Sequence, residues 1–171
     1  MSTVEQIYRA GAGLPDWAEQ VLQRRTYAVI ATSNPDGSPQ TVPLLYTFDG
    51  ERFLFESRST TRKVRNLTDR PHARVLVQGP PDDSCWIAAE GSAEIVGGAE
   101  AQRRNATVAE RYLTDAGRVG WARTVAPVED VSIGLVPERW SWWSPEAMFG
   151  VISDHGYTEE EAAGWFLPMD A

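Results

Sequence analysis

Two tight-turn signals, Asn34-Pro35-Asp36-Gly37 and Asp49-Gly50, separate three short apolar runs and constrain the fold more than any other feature of the chain. Turns this short join strands that run in opposite directions, because a parallel connection needs a crossover of a dozen or more residues. The runs are Thr26–Ser33, Gln40–Phe48 and Arg52–Ser57. The first is β-branched and apolar enough for a buried strand, and in the third Phe53 and Phe55 alternate with Leu54 and Glu56. Pro43 lies within the second and cannot donate to a ladder. It therefore marks an edge, a bulge or a place where something other than a strand faces the backbone.

Further strands are expected at Ala73–Gln78, at Ser84–Glu90 and Ser92–Val96 joined across Gly91, and at Val131–Val136 extending towards Trp140, Trp142 and Trp143. Helices are expected at Asp16–Arg25, within the segment Arg58–Arg74, at Ala99–Leu113 and at Thr158–Phe166. Short strands linked by tight turns, with helices at the periphery, predict a mainly β, α+β chain built on an antiparallel β-barrel. No strand is followed by GxGxxG, which argues against a Rossmann fold.

With 171 residues and no linker or repeat, residues 1–171 are expected to form a single domain. The net charge of −8 argues against sequence-independent nucleic-acid binding and against a polybasic membrane surface. No apolar run approaches the ~20 residues of a membrane span. The first residues lack the basic and apolar regions of a signal peptide, and Cys85 is the only cysteine. Both point to a reducing cytoplasm. His72 and His155 have no cysteine partners, so no metal site is expected.

Against this acidic background, six of the 16 cations lie between Arg58 and Arg74: Arg58, Arg62, Lys63, Arg65, Arg70 and Arg74. Val64 and Leu67 form an i, i+3 apolar pair, with Thr60 or Thr61 as the N-cap of a helix. Its first turn then carries Arg62 and Lys63, where the helix macrodipole favours acids. Free N–H groups, a threonine hydroxyl and two cations at a helix start suit a phosphate. A solvated basic face is the alternative reading.

No GxSxG, HExxH or P-loop motif is present, Cys85 lies in an apolar run, and no pair of carboxylates stands out. No catalytic side chain is assigned. Any reaction is expected to be carried by a bound cofactor that the protein positions.

The order YAVIATSNPDGSPQTVPLLYTFDGERFLFESRSTTRKVRNLTDRPHARVLVQG resembles the core of the pyridoxamine-phosphate-oxidase-like split-barrel flavoproteins, and WIAAEGSAEIVGG resembles their next hairpin. The resemblance implies a homodimer of split barrels with a flavin in each of two interface clefts and a small-molecule substrate beside it. Val42, Pro43 and Leu44 would flank the ring, and Ser57, Thr61, Arg62 and Lys63 would hold the phosphate. The terminal AGWFLPMDA lacks the arginine- and histidine-bearing motif of true pyridoxamine-phosphate oxidases, so vitamin B6 oxidation is not expected. The NPDG and TVP elements are closer to the actinobacterial branch, which uses FMN, the deazaflavin coenzyme F-420, or haem and bilins.

FMN is the first expectation, because the basic charge is concentrated at one place. Coenzyme F-420, with its polyglutamate tail, is the alternative. A flavin-dependent oxidoreductase is the first functional reading. A non-catalytic carrier of flavin, deazaflavin or tetrapyrrole is the second. The chain has seven tryptophans. Trp140 and Trp142 share a strand face with Trp143 opposite, and core or dimer packing is favoured over lining the substrate pocket.

Overall fold

The computed structural model of the chain describes residues 9–11, 14–79 and 85–165, and its strands pair antiparallel throughout. In order, the elements are β1 (Arg9–Gly11), α1 (Asp16–Leu22), β2 (Ala28–Ser33), β3 (Pro39–Leu44), β4 (Thr47–Phe48), β5 (Phe53–Ser57) and α2 (Arg62–Asp69). They continue with β6 (His72–Gln78), β7 (Trp86–Gly97), α3 (Gly98–Tyr112), α4 (Asp115–Thr124), β8 (Val131–Trp143), α5 (Pro145–Asp154) and α6 (Glu159–Ala163).

Strand neighbours follow β3-β2-β6-β7-β8-β5-β4, with β1 also on β8. The ends of that path, β3 and β4, are consecutive in the chain and separated only by Leu45 and Tyr46. A flat sheet of this width would place its edges about 29 Å apart, whereas so short a link reaches about 11 Å. The sheet must therefore curl until its edges approach, which makes the fold an antiparallel split β-barrel with peripheral helices.

Inside the curl lie Ile30, Phe53, Phe55, Val75, Ile87 and Leu135, all essentially buried. β6 alternates strictly between buried and exposed residues, as a half-buried strand should. Trp140 belongs to this core and meets the edge of Phe48 at a ring distance of 5.8 Å, and Trp142 packs beside it. Core packing is therefore their role.

Several element boundaries differ from the sequence expectation. The run Gln40–Phe48 is two strands, because buried Tyr46 turns inward at the break and donates its hydroxyl hydrogen to the Leu22 carbonyl at 3.0 Å. The two strands expected around Gly91 are one twelve-residue strand, with a bulge between Glu90 and Gly91. β8 runs through Val136 to the tryptophans, as expected. Pro137 pairs opposite Gly91, where the bulge spares it a ladder bond. The first helix ends at Leu22, and α4 and α5 were not anticipated. The expected terminal helix begins with a capping box between Thr158 and Glu161, and Phe166 lies outside the described residues.

Among the described residues, no helix is long and apolar enough to cross a membrane.

Candidate cofactor-binding site

The basic segment folds as a turn leading from β5 into α2, so residues of the two elements meet at the helix start. Ser57 ends β5 and is 1% exposed, and its hydroxyl lies 3.2 Å from that of Thr61. Thr61 is the N-cap by backbone, yet its hydroxyl donates to the Arg58 carbonyl at 2.9 Å and does not cap the helix. α2 also has no acid in its first turn, so its leading N–H groups have neither an intrahelical nor a side-chain partner. The sequence expectation of a threonine cap is thus met in position but not in bonding.

Lys63 decides the character of the site. It lies on the inner face of α2 with Val64, Asn66 and Leu67, and it is only 9% exposed. It forms no hydrogen bond or ion pair with another described residue. Burial pushes its amine below the ordinary lysine value of 10.5, and the Glu129 carboxylate opposes that shift. A partly desolvated ammonium carries a cost that an anion placed beside it would offset. Arg62 points outward. It is exposed, and its charge helps lower the Asp36 carboxyl, after the larger effect of hydrogen bonds from Ser38.

The approach to β8 fastens this turn. Arg58 Nε donates to Glu129 at 3.1 Å, and the Ser59 N–H and hydroxyl both donate to Asp130 at 2.7 Å. Buried Asn105 holds the same link by donating to the carbonyls of Glu129 and Val131. Beneath it, burial raises the Glu56 carboxyl, a hydrogen bond from Trp121 Nε1 at 3.0 Å lowers it, and Glu129 raises it further.

Val42, Pro43 and Leu44 lie on β3, an edge strand, which explains how a residue without an N–H is tolerated there. Their link to α2 is Asn66, whose buried amide donates towards Thr32, Asn34 and Gln40 at 3.0–3.1 Å. Gln40 shares its strand face with Val42 and Leu44, whereas Pro43 points to the other side.

Sequence reasoning singled out neither Asn66 nor the Glu129–Asp130 pair. Asn66 stands one turn after Lys63 on the face set by Val64 and Leu67, so its burial was readable. The acidic pair is about seventy residues downstream and left no local signal.

This donor set fits a phosphate: an inward-facing lysine amine, helix N–H groups without a side-chain cap, an outer guanidinium, and two hydroxyls that would have to turn from the Arg58 carbonyl and from each other to donate to it. Affinity for such an anion should fall as pH rises, beginning below 10.5 because the amine loses its proton early. The stability effect has the opposite sign. Between the depressed value and 10.5 the unfolded chain binds more protons than the folded one, so Lys63 makes stability rise with pH there. Phosphate titrations and urea midpoints across the alkaline range check both directions.

The family profile described as pyridoxamine 5'-phosphate oxidase matches residues 14–144. The chain belongs to this family. No curated protein matches the chain. Among solved structures, an F420 reductase is 26% identical, with 74% of this chain and 98% of that one covered at a TM-score of 0.62. A conserved hypothetical protein from Mycobacterium tuberculosis is also 26% identical, with 82% and 91% covered and a TM-score of 0.66. HutZ, a heme storage protein from Vibrio cholerae, is 16% identical, with 77% and 94% covered and a TM-score of 0.61. At that identity HutZ shares the fold alone. The pyridoxamine 5'-phosphate oxidase family thus accounts for the split barrel, with structural relatives that differ in function.

Proposed function

We propose that the protein is a flavin-dependent oxidoreductase that acts on a small molecule through bound FMN. The observation that carries this reading is Lys63, an inward-facing lysine 9% exposed, with no hydrogen bond or ion pair to another described residue, at a helix start without a side-chain cap. When bound, the flavin supplies two-electron redox chemistry. The chain's own task is binding and orientation. Lys63 and the first N–H groups of α2 hold the phosphate, and the Ser57 and Thr61 hydroxyls complete the cradle by turning from the Arg58 carbonyl towards it. Arg62 adds charge from the solvent side. Val42, Pro43 and Leu44 flank the ring, with β3 oriented through Asn66.

A second reading is supported by the F420 reductase at 26% identity: the ring system is a deazaflavin in the same cradle. The absorbance spectrum of the purified protein separates FMN, deazaflavin and haem. Anaerobic reduction by a nicotinamide, then reoxidation by an acceptor, separates an enzyme from a carrier. A spectrum with no flavin or deazaflavin, together with no uptake of added FMN or coenzyme F-420, refutes the proposal.

We further propose a homodimer in which a second copy lies across the outer face of β2, β3, β6 and β7, leaving cofactor clefts between the copies. This face exposes Pro43, and Leu76 is 37% exposed beside Val29. An obligate interface of this kind buries more than about 2,000 Å². Sedimentation is expected to give a dimer at micromolar concentration. A monomer that retains flavin contradicts it.

A further inference from the structure

The link that leads into β8 carries a carboxylate that the phosphate cradle does not use. Glu129 has its main chain held from both sides. Its N–H donates to the Val125 carbonyl at 3.0 Å, its carbonyl accepts from Asn105 at 3.0 Å, and the next residue, Asp130, takes two bonds from Ser59. The side chain is less constrained. Arg58 Nε donates to one oxygen at 3.1 Å, and among the described residues no other group bonds the carboxylate. The Glu129 side chain is 18% exposed and that of Arg58 is 56% exposed. A solvated guanidinium attached by a single bond restrains a carboxylate only weakly.

Glu129 also acts where it forms no bond. The charged groups on the elements that meet here are Glu56 on β5, Arg58 in the turn, Arg62 and Arg65 on α2, and Glu129 and Asp130 before β8. Of these, Glu129 is the one whose charge raises the Lys63 amine, against the larger lowering by burial. It also raises the Glu56 carboxyl, after burial. The carboxylate therefore stands within electrostatic reach of α2 and β5 at once. A phosphate at the start of α2 and the Glu129 carboxylate would attract the same amine and repel each other.

We propose that Glu129 is an internal competitor for the phosphate, shared between Arg58 and Lys63, and that Arg58 tunes the cradle by drawing it away. This rests on the flavin-phosphate reading of the cradle. Both are positioning residues, acting on the anion through Lys63. With Arg58 in place, the carboxylate is tethered beside the turn and the amine is left to the anion. Without Arg58 the carboxylate turns to the amine, and an incoming phosphate has to displace it.

Lys63 is the only lysine in the chain, so isotopically labelled lysine gives one side-chain resonance whose titration reads this amine alone. Wild type, Glu129→Gln, Arg58→Gln and the double variant of the full-length protein are compared. Glutamine keeps an oxygen for Arg58 Nε and removes the charge. In Glu129→Gln the Lys63 titration should move to lower pH, while inorganic phosphate and FMN bind about threefold to tenfold more tightly at neutral pH. Arg58→Gln should move both the other way. In the Glu129→Gln background the effect of Arg58→Gln should be much smaller, because a residue that acts through Glu129 has nothing left to act on. Circular dichroism reports the fold of each form, and Glu110→Gln, an exposed acid on α3, should move neither reading. A merely structural role would weaken binding in every variant and leave the Lys63 titration in place. Phosphate binding that Glu129→Gln fails to tighten, an unmoved Lys63 titration, or an equal cost of Arg58→Gln in both backgrounds overturns this inference while the cradle stands. Phosphate and FMN bound by none of the forms refutes the cradle, and this inference with it.

Discussion

Gly91→Ala is expected to destabilise the fold by about 3 kcal/mol or more, a large share of the ~5–15 kcal/mol that holds a domain together. A Cβ at this position would stand 2.0 Å from the Val136 carbonyl oxygen and 2.9 Å from the Glu138 nitrogen. Both are backbone atoms of β8, so relief requires parting the two longest strands at their bulge. Gly134→Ala is the informative comparison. There the nearest atoms are the ends of Arg104 and Glu94, at 2.9 and 3.1 Å, and flexible side chains can retreat. Urea midpoints should place Gly91→Ala far below wild type and Gly134→Ala closer to it. Equal midpoints for Gly91→Ala and wild type would show that the bulge is not as described.

The Arg62→Ala, Lys63→Ala double variant is expected to lose a few kcal/mol of FMN affinity, since charge-assisted hydrogen bonds contribute roughly 1.5–3 kcal/mol each. The two residues should not share that loss equally. Arg62 is exposed and screened by solvent, so its single variant belongs at the low end, below about 1 kcal/mol. Lys63 is buried, so Lys63→Ala should account for most of the effect, about thirtyfold or more in affinity. Flavin fluorescence titration of folded variants measures this, and melting temperature with and without FMN gives an independent reading through linkage. Unchanged affinity in a folded double variant would refute the phosphate site. A loss carried mainly by Arg62 would place the anion on the solvent side of the helix.

Much of the fold was legible because its signals are local. The Asn34–Gly37 and Asp49-Gly50 turns sit in a few adjacent residues, and each is followed by the antiparallel pairing it predicts. The misread elements depend on distant partners. Gly91 looks like a joint between strands until β8 is beside it, because a bulge is a property of two strands. The break at Leu45-Tyr46 reflects barrel closure, which exists only once β3 and β4 occupy opposite edges of the sheet path.

The candidate site divides in the same way. Residue type and helix position alone determined the cluster of cations, the basic first turn without acids and the family resemblance of the surrounding strands, whereas the missing cap bond emerged only in the structure. Which cation is buried, and what surrounds it, was decided by tertiary structure. Arg62 and Lys63 are adjacent and carry the same charge. About 100° of helical rotation separates them, and packing of Val64 and Leu67 on the barrel turns Lys63 inward and leaves Arg62 in water. The same packing brings Glu129 and Asp130 onto Arg58 and Ser59 from 71 residues away. Local sequence determines where charge lies along the chain, whereas burial, which sets how strongly that charge acts, arises only when distant segments exclude water together.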